Sequence, residues 1–493
     1  MSTVTVLNNG IKYCFEFAGG ENLLEFLAAH GISIAAPCGG HGVCGKCTVE
    51  LISASGRRKV KACAAVLKEN CEVIVPESAG EIDWNGVQKK QAFDRGRSGF
   101  GAAVDLGTTT VCVSLINLEN GERAGSVSRW NAQQVYGADV ISRAGYCAEH
   151  EDGLAALSNT VREQILEMLQ ELCSSNYVNI KDVKEIFLAG NTVMQHIFAG
   201  ISPAGIAAAP FTPESYFDGG ERYELGNIPV SLSPCVAGYV GGDITAGALS
   251  TEMIDKDGLS LFIDVGTNGE MLLGGKNGLT SCAVASGPAF EGAGITCGMN
   301  AGNGAVYSVE LTGEGLSYEV IGGGEAKGIC GSGLLDLAAC LLELGYIDES
   351  GRLEENEDGE SVFYLSDKVY ITQKDVRQLQ LAKAAVAAGI RLLMENKGIG
   401  FENIRALYLA GGFGSRLRPA SAVKIGMLPE ELLGRTVAVG NACLAGAEQA
   451  LLSGGAREKL KEIKSRCEYI ELSSHPKFND VFVDEMQFPE VDL

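Results

Sequence analysis

Ala102-Ala103-Val104-Asp105-Leu106-Gly107-Thr108-Thr109-Thr110 and Leu261-Phe262-Ile263-Asp264-Val265-Gly266-Thr267-Asn268-Gly269-Glu270 are one construction written twice in a single chain. In each, an apolar run ends on an aspartate, a glycine turn carrying hydroxyls or an amide follows, and a second strand-like run begins. Short apolar runs bounded by glycine read as strands, so each copy predicts a strand-turn-strand hairpin. In such a hairpin the turn amides and the hydroxyls of Thr108 and Thr109 suit phosphate oxygens, and Asp105 suits Mg2+ held directly or through water. One such turn alone is no more than a turn. Two copies offset by 264 minus 105, or 159 residues, predict two similar lobes closing on one nucleotide.

Two glycine-rich elements further along belong to the same expectation. Leu407-Tyr408-Leu409-Ala410-Gly411-Gly412-Phe413-Gly414 reads as a strand ending where a flat ligand can approach the backbone at Gly411 and Gly412. Gly328-Ile329-Cys330-Gly331-Ser332-Gly333-Leu334 reads as a helix entry. Its first amides, at Gly331 and Ser332, are suited to ligand oxygens, although a helix start packed in the core fits the same residues.

The other informative stretch lies near the N-terminus. Thr3 to Phe17 alternates like a hairpin turning at Asn8-Asn9-Gly10, and Asn22 to His30 reads as a short amphipathic helix. Pro37-Cys38-Gly39-Gly40-His41-Gly42-Val43-Cys44-Gly45-Lys46-Cys47 follows, with Cys63 arriving alone. Four thiolates satisfy a 2Fe-2S cluster, and the glycines let backbone amides turn toward the sulfurs. A structural zinc site also takes four cysteines but usually brings two close pairs. Here Cys38, Cys44 and Cys47 share one loop, which favours 2Fe-2S over zinc or a chance cluster of thiols. His41 has no second histidine nearby to make a Rieske centre and reads as structural.

Composition narrows the class. At 493 residues the chain exceeds one ordinary core, so two or three folding units are expected. Hydrophobic residues at 46% and charged residues at 20% exclude wholesale disorder. A net charge of -23 disfavours a general grip on nucleic acid. No apolar run of about 18 residues and no basic start followed by an apolar core occurs, so no membrane span is expected and the protein is placed in the cytoplasm. The sixteen cysteines are then thiols or metal ligands rather than disulfides. Between Ser78 and Gly99 the periodic pattern lapses, and either a mobile tether or a segment docked on its neighbour fits.

The cysteine loop resembles plant-type and adrenodoxin-type ferredoxins, with a shorter step from Cys47 to Cys63. The order of the later motifs resembles the actin, sugar kinase and chaperone ATPase superfamily. Further stretches resemble one branch of it, the reductive activators of corrinoid enzymes. These are Asn131-Ala132-Gln133, Gly137-Ala138-Asp139-Val140-Ile141-Ser142-Arg143, Ala189-Gly190-Asn191-Thr192-Val193-Met194-Gln195-His196, Tyr239-Val240-Gly241-Gly242-Asp243, Ser286-Gly287-Pro288-Ala289-Phe290-Glu291-Gly292-Ala293 and Ile371-Thr372-Gln373-Lys374-Asp375. Plain structural readings stand beside these. Asp139 and Arg143 make a helical i,i+4 pair, His196 is an interior histidine, and Leu154, Leu157, Val161, Ile165, Met168 and Leu172 form a core stripe.

The resemblance implies an α+β N-terminal ferredoxin module of the β-grasp kind (1–80), a linker (81–100), and an α/β two-lobed actin-like ATPase with ribonuclease H-like lobes (101–250 and 251–493). It implies Asp105 and Asp264 as metal or water ligands. Gly107, Thr108, Thr109, Gly266, Thr267, Asn268, Gly331, Ser332, Gly411 and Gly412 would bind nucleotide, and Cys38, Cys44, Cys47 and Cys63 would hold the cluster. The cofactors are a 2Fe-2S cluster, ATP and Mg2+. Activators with a C-terminal pair of 4Fe-4S clusters differ from this chain, whose late Cys443 and Cys467 stand far apart. So do activators with an additional middle domain, because here the linker leads directly to Asp105.

The implied activity is ATP-dependent reduction of Co(II) to Co(I) in a corrinoid partner protein, with electrons from an external low-potential donor such as a ferredoxin or flavodoxin. A homodimer is compatible. The competing readings are an ATP-driven electron donor to a different metalloenzyme, a small-molecule kinase with a redox module, and an ATP-binding redox sensor.

Overall fold

The computed structural model describes residues 2–8, 11–17, 19–30, 32, 34, 47–53, 55–75, 93–313, 315–356, 358–414 and 416–490. Cys38, His41, Cys44, the turn residues Asn9 and Gly10, and most of the linker lie outside them.

The N-terminal module is a five-stranded mixed sheet with the helix Leu23–Ala29. Its strands are β1 (Ser2–Asn8), β2 (Ile11–Phe17), β3 (Thr48–Ser53), β4 (Gly56–Lys61) and β5 (Cys71–Ile74), in the order β2-β1-β5-β3-β4. β1 pairs antiparallel with β2 and parallel with β5. Alternation selects the buried face: Val4 and Val6 on β1, and Val49 and Leu51 on β3, meet Leu23, Leu27 and Val73 in a small separate core.

The two copies of the aspartate hairpin occupy the centres of two six-stranded sheets. The first comprises β6 (Phe100–Leu106), β7 (Thr110–Asn117), β8 (Arg123–Trp130), β9 (Val183–Gly190), β10 (Tyr223–Leu225) and β11 (Ile228–Leu232), ordered β10-β11-β9-β6-β7-β8. The second half supplies β12 (Leu259–Val265), β13 (Gly269–Gly275) and β14 (Gly278–Val284). A side sheet follows, β15 (Ala305–Thr312), β16 (Gly315–Val320) and β17 (Gly328–Ile329), and then a ribbon, β18 (Val362–Tyr364) and β19 (Tyr370–Thr372). β20 (Ile404–Ala410), β21 (Thr436–Gly440) and β22 (Cys467–Tyr469) complete the second large sheet in the order β21-β20-β12-β13-β14-β22.

In both sheets the aspartate strand lies between an antiparallel meander and a parallel neighbour. Asp105 pairs across to Ala189 and Cys112, and Asp264 to Ala410 and Glu270. Central strands covered on both faces need near-continuous apolar runs, which β6, β9, β12 and β20 have.

The two sheets are joined through the helices Gly242–Thr251 and Ala442–Leu452. These pack in one core with Ala103 and Phe187 from the first sheet and Phe262 and Tyr408 from the second. They cross so closely that a Cβ at Gly446 would overlap the carbonyl oxygen of Ala246. Phe262 is fully buried in this core, a side chain whose burial contributes roughly 1.5–3 kcal/mol. The expected stripe on the helix Gly153–Ser175 is core: Leu157, Val161, Ile165, Met168 and Leu172 are buried, and Leu154 packs at its margin.

The end of the linker is docked. Asp94 accepts from the backbone N–H of Gly454 at 2.8 Å, and Arg97 donates to the Leu451 carbonyl at 2.6 Å and pairs with Glu185. Among the described residues no helix is long and apolar enough to cross a membrane.

Candidate functional site: a cleft between two matched loops

Both aspartate hairpins open onto one cavity of about 250 Å³ between the lobes. Asp105, Asp264, Gly107, Thr108, Thr109, Gly266, Thr267, Asn268, Gly331, Ser332, Gly411 and Gly412 all line it. The sequence therefore placed every one of these candidates in the same space.

Each loop is held from behind. In the first, Asn131 Nδ2 donates to Gly107 O (2.9 Å), Arg143 Nη2 to Thr108 O (2.7 Å), and both Asn131 N (2.9 Å) and Gln134 Nε2 (3.0 Å) to Thr109 O. Across a planar trans peptide the next N–H points opposite to the carbonyl. Securing three carbonyls on the outer side therefore aims the following amides the other way. In the second loop Ser286 Oγ donates to the carbonyls of Gly266 (2.8 Å) and Thr267 (3.2 Å), and Gly287 N to Thr267 O (3.0 Å).

Arg143 is more than one end of an i,i+4 pair. It is fully buried and also donates to Gly137 O at 3.0 Å and Gln133 Oε1 at 3.2 Å, while Asp139 caps its own helix by accepting from Ser142 N. Burial pulls the guanidinium pKa down, opposed by the charges of Asp139 and Glu291.

Side chains also cross between the lobes. Glu291 accepts from Thr109 Oγ1 in the first loop at 3.2 Å and from Thr267 Oγ1 in the second at 2.8 Å. Asn441 Nδ2 donates to Asp105 Oδ2 at 2.7 Å. Asn191, at the start of the helix Thr192–Ala199, donates to Thr108 Oγ1 at 2.8 Å. The backbone of Gly411 has φ +85, and a Cβ there would collide with Asp264 Oδ1. A glycine is what lets that carboxyl lie against the strand end. The Ser332 hydroxyl donates away to Tyr307 O at 2.8 Å, so the helix entry at Gly331–Glu343 offers the cavity backbone amides rather than this hydroxyl.

Burial dominates the electrostatics. Asp264 is pushed up to about 7 by burial and then by Asp105. Asp243 is pushed up to about 8 by burial and then by Asp264. Burial likewise raises Asp105, eased by Cys443 and Asn441, and raises Glu270, with Asp243 and Asp264 adding to it. Asp243, Glu270, Glu291, Asn441 and Cys443 line the cavity without having been assigned a role from the sequence. The signal for Asp243 and Glu291 was their place inside glycine-rich stretches.

His196 is the interior histidine expected, its Nδ1 2.7 Å from Thr192 O and its Nε2 accepting from Ser215 N at 3.2 Å. In the N-terminal module, two of the four predicted cluster ligands are described. The sulfurs of Cys47 and Cys63 are 3.2 Å apart, near enough to serve one metal centre. Their backbones are fixed by Ala62 N donating to Cys47 O and Asn22 Nδ2 to Cys63 O, each at 2.8 Å.

A ferredoxin-type module joined to a two-lobed cleft with paired loops defines an iron-sulfur protein with an actin-like ATPase domain. Residues 6–68, which contain all four predicted ligands, match the 2Fe-2S iron-sulfur cluster binding domain. Residues 100–256 match the RACo middle region, and 258–493 match the C-terminal domain of RACo, the ASKHA domain. The corrinoid activation enzyme RamQ of Eubacterium limosum is 32% identical over 418 residues, covering 79% of this chain and 70% of that one. The [Co(II) methylated amine-specific corrinoid protein] reductase of Methanosarcina barkeri is 25% identical over 79% of this chain and 77% of its own length. A solved reductive activator for a corrinoid, iron-sulfur protein superposes with a TM-score of 0.73 at 31% identity, covering 99% of both chains. The chain belongs to this RACo family, the reductive activators of corrinoid enzymes.

One expectation is corrected. The direct run from linker to Asp105 suggested that the family's middle domain is missing, yet residues 100–256, which carry Asp105, match the middle region itself. The strand that follows the linker is the start of that region, so no gap marks it in the sequence.

Proposed function

We propose that this chain couples ATP to the reductive activation of a corrinoid protein, passing an electron to Co(II) to give Co(I). The observation that carries the reading is the pairing of a 2Fe-2S cluster binding domain with a cleft in which two matched loops face one another. When bound, the cluster supplies the electron, at a potential near about -400 mV for plant-type centres. Reduction to Co(I) is uphill from there, and ATP assists only by favouring one conformation of the complex over another.

Within this reading Cys38, Cys44, Cys47 and Cys63 hold the cluster. The amides of the two loops and the hydroxyls of Thr108, Thr109 and Thr267 take phosphate oxygens, with Asn268 and the entry at Gly331 and Ser332 beside them. Gly411 and Gly412 admit the adenosine. Asp105 and Asp264 hold Mg2+. The fit is supported by charge: Asp105, Asp243, Asp264, Glu270 and Glu291 all line the cavity, with Arg416 as the lining cation among the described residues. A polyphosphate needs a divalent cation to share that space. The units we assign are the ferredoxin module at 1–80, the linker at 81–100 and lobes at 101–250 and 251–493. A low-potential ferredoxin or flavodoxin is the electron donor we assign, and the cytoplasm is the location.

The test is anaerobic. Reduced protein is mixed with a Co(II) corrinoid methyltransferase subunit, with and without Mg-ATP, and the cobalt absorption is followed. Appearance of Co(I) only with ATP is the expected result. No Co(I) with any corrinoid subunit, despite an intact cluster and bound ATP, would redirect the electron to another metalloenzyme. A phosphorylated small-molecule product would favour the kinase reading instead.

A further inference from the structure

Glu291 forms a contact that loop architecture alone does not require. The first loop is already fixed by Asn131, Gln134 and Arg143, and the second by Ser286 and Gly287. What Glu291 adds is a link across the cleft, one carboxylate oxygen to Thr109 and the other to Thr267. These two threonines stand in the turns of the two repeated hairpins, Thr109 beside the position that matches Thr267, so the carboxylate bridges the two turns across the lobes.

We propose that Glu291 is a clasp that competes with nucleotide for the two loops, holding them together when the cleft is empty and yielding them when phosphate enters. This rests on the reading of the cleft as a nucleotide site. A threonine hydroxyl carries one proton to donate. While Glu291 accepts from Thr109 and Thr267, neither hydroxyl can donate to a phosphate oxygen, which is itself only an acceptor. Carboxylate and polyphosphate are also like charges, and in a buried site their repulsion is far stronger than in water. Glu291 is itself partly buried, and Arg143, which grips Thr108 O, is a fixed positive charge on its lobe I side. The empty protein therefore has a satisfied clasp, and a nucleotide must replace both of its hydrogen bonds. Glu291 is a positioning residue: it acts through Thr109 and Thr267 and sets the balance between empty and loaded cleft.

The test measures binding of Mg2+ with a non-hydrolysable ATP analogue by calorimetry to wild type, Glu291→Gln, Glu291→Ala, Thr109→Val and Glu291→Ala/Thr109→Val, with thermal melts as a folding control. Both Glu291 variants should bind at least about five-fold tighter, a gain equivalent to about 1 kcal/mol. Thr109→Val should weaken binding more in the Glu291→Ala background than in wild type, because only there is the hydroxyl free for phosphate. A residue that merely supports the fold would lower the melting temperature and weaken binding. Unchanged or weaker binding in folded Glu291→Gln, with wild type binding normally, overturns the clasp and leaves the nucleotide site standing. Absence of binding to wild type overturns the nucleotide reading and the clasp with it. If Glu291→Ala does not fold, Glu291→Gln, which keeps the size of the side chain and loses the charge, decides.

Discussion

Asn441 and Asp105 lie 336 positions apart and meet at 2.7 Å, the amide donating to the carboxyl across the two lobes. The same side chain caps the helix Ala442–Leu452, its Oδ1 accepting from Leu444 N at 2.8 Å. One residue thus ends a helix in the second half and orients an acid in the first. An N-cap contributes about 1 kcal/mol and a hydrogen bond to a charged group about 1.5–3 kcal/mol. Asn441→Ala should therefore lower unfolding free energy by roughly 3 kcal/mol and weaken Mg-nucleotide binding several-fold, as read by urea melts and calorimetry. Asn441→Asp keeps the cap but sets a second carboxyl against Asp105, so it should restore stability near neutral pH less than the cap alone would.

Removing the Arg143 guanidinium leaves the carbonyls of Gly137 and Thr108 without that donor in a buried setting. Buried unsatisfied groups cost roughly 1–3 kcal/mol each. Arg143→Met is expected to destabilise the protein by roughly 3 kcal/mol and to loosen nucleotide binding, with the visible spectrum of the cluster unchanged. Arg143→Lys should not rescue it, since an ammonium cannot reach several carbonyls with a planar fork.

The contact between Cys47 and Cys63 sets a complementary expectation. Cys47→Ala and Cys63→Ala should each abolish the visible absorption of the cluster and the transfer of electrons to cobalt, while nucleotide affinity stays within about two-fold of wild type, a difference of about 0.4 kcal/mol. An unchanged spectrum in either variant would refute the ligand assignment.

Lys383 provides a pH signature far from the cleft. It is buried, donates to Gln487 O, and lies 5.5 Å from the Phe488 ring centre. Burial lowers its pKa to about 8, with Glu485 opposing. An unfolded lysine titrates near about 10.4, so between these values the unfolded chain holds the proton that the folded one has released. That difference favours the folded state increasingly as pH rises through the window, and it disappears as an added term below about pH 8. Lys383→Met lacks it. The stability difference between wild type and this variant should shift toward wild type by roughly 2 kcal/mol between pH 7 and pH 10, measured by denaturant unfolding at each pH.

The hairpins were legible because their chemistry is local: an apolar run, an aspartate, a glycine and a hydroxyl fall within ten residues. The side chains that complete the cleft were not. Arg143 read as half of a helical i,i+4 pair, since nothing in its own helix reveals that it is fully buried against Thr108. Asn441 meets its partner only through the crossing of the lobes, and Glu291 reads as an ordinary acid until both threonines are brought to it. The docked end of the linker was equally hidden, because Asp94 and Arg97 find Gly454 and Leu451 only after the C-terminal helices have packed.

The crossing at Gly446 and Ala246 has a mechanical meaning. Where two helices touch backbone to backbone there is no side chain between them to bend, so the distance at that point is fixed while the angle is not. The contact is a fulcrum, and the lobes are its two arms. The loops at the cleft rim ride on the arms, so a ligand that parted them would turn the arms about this point.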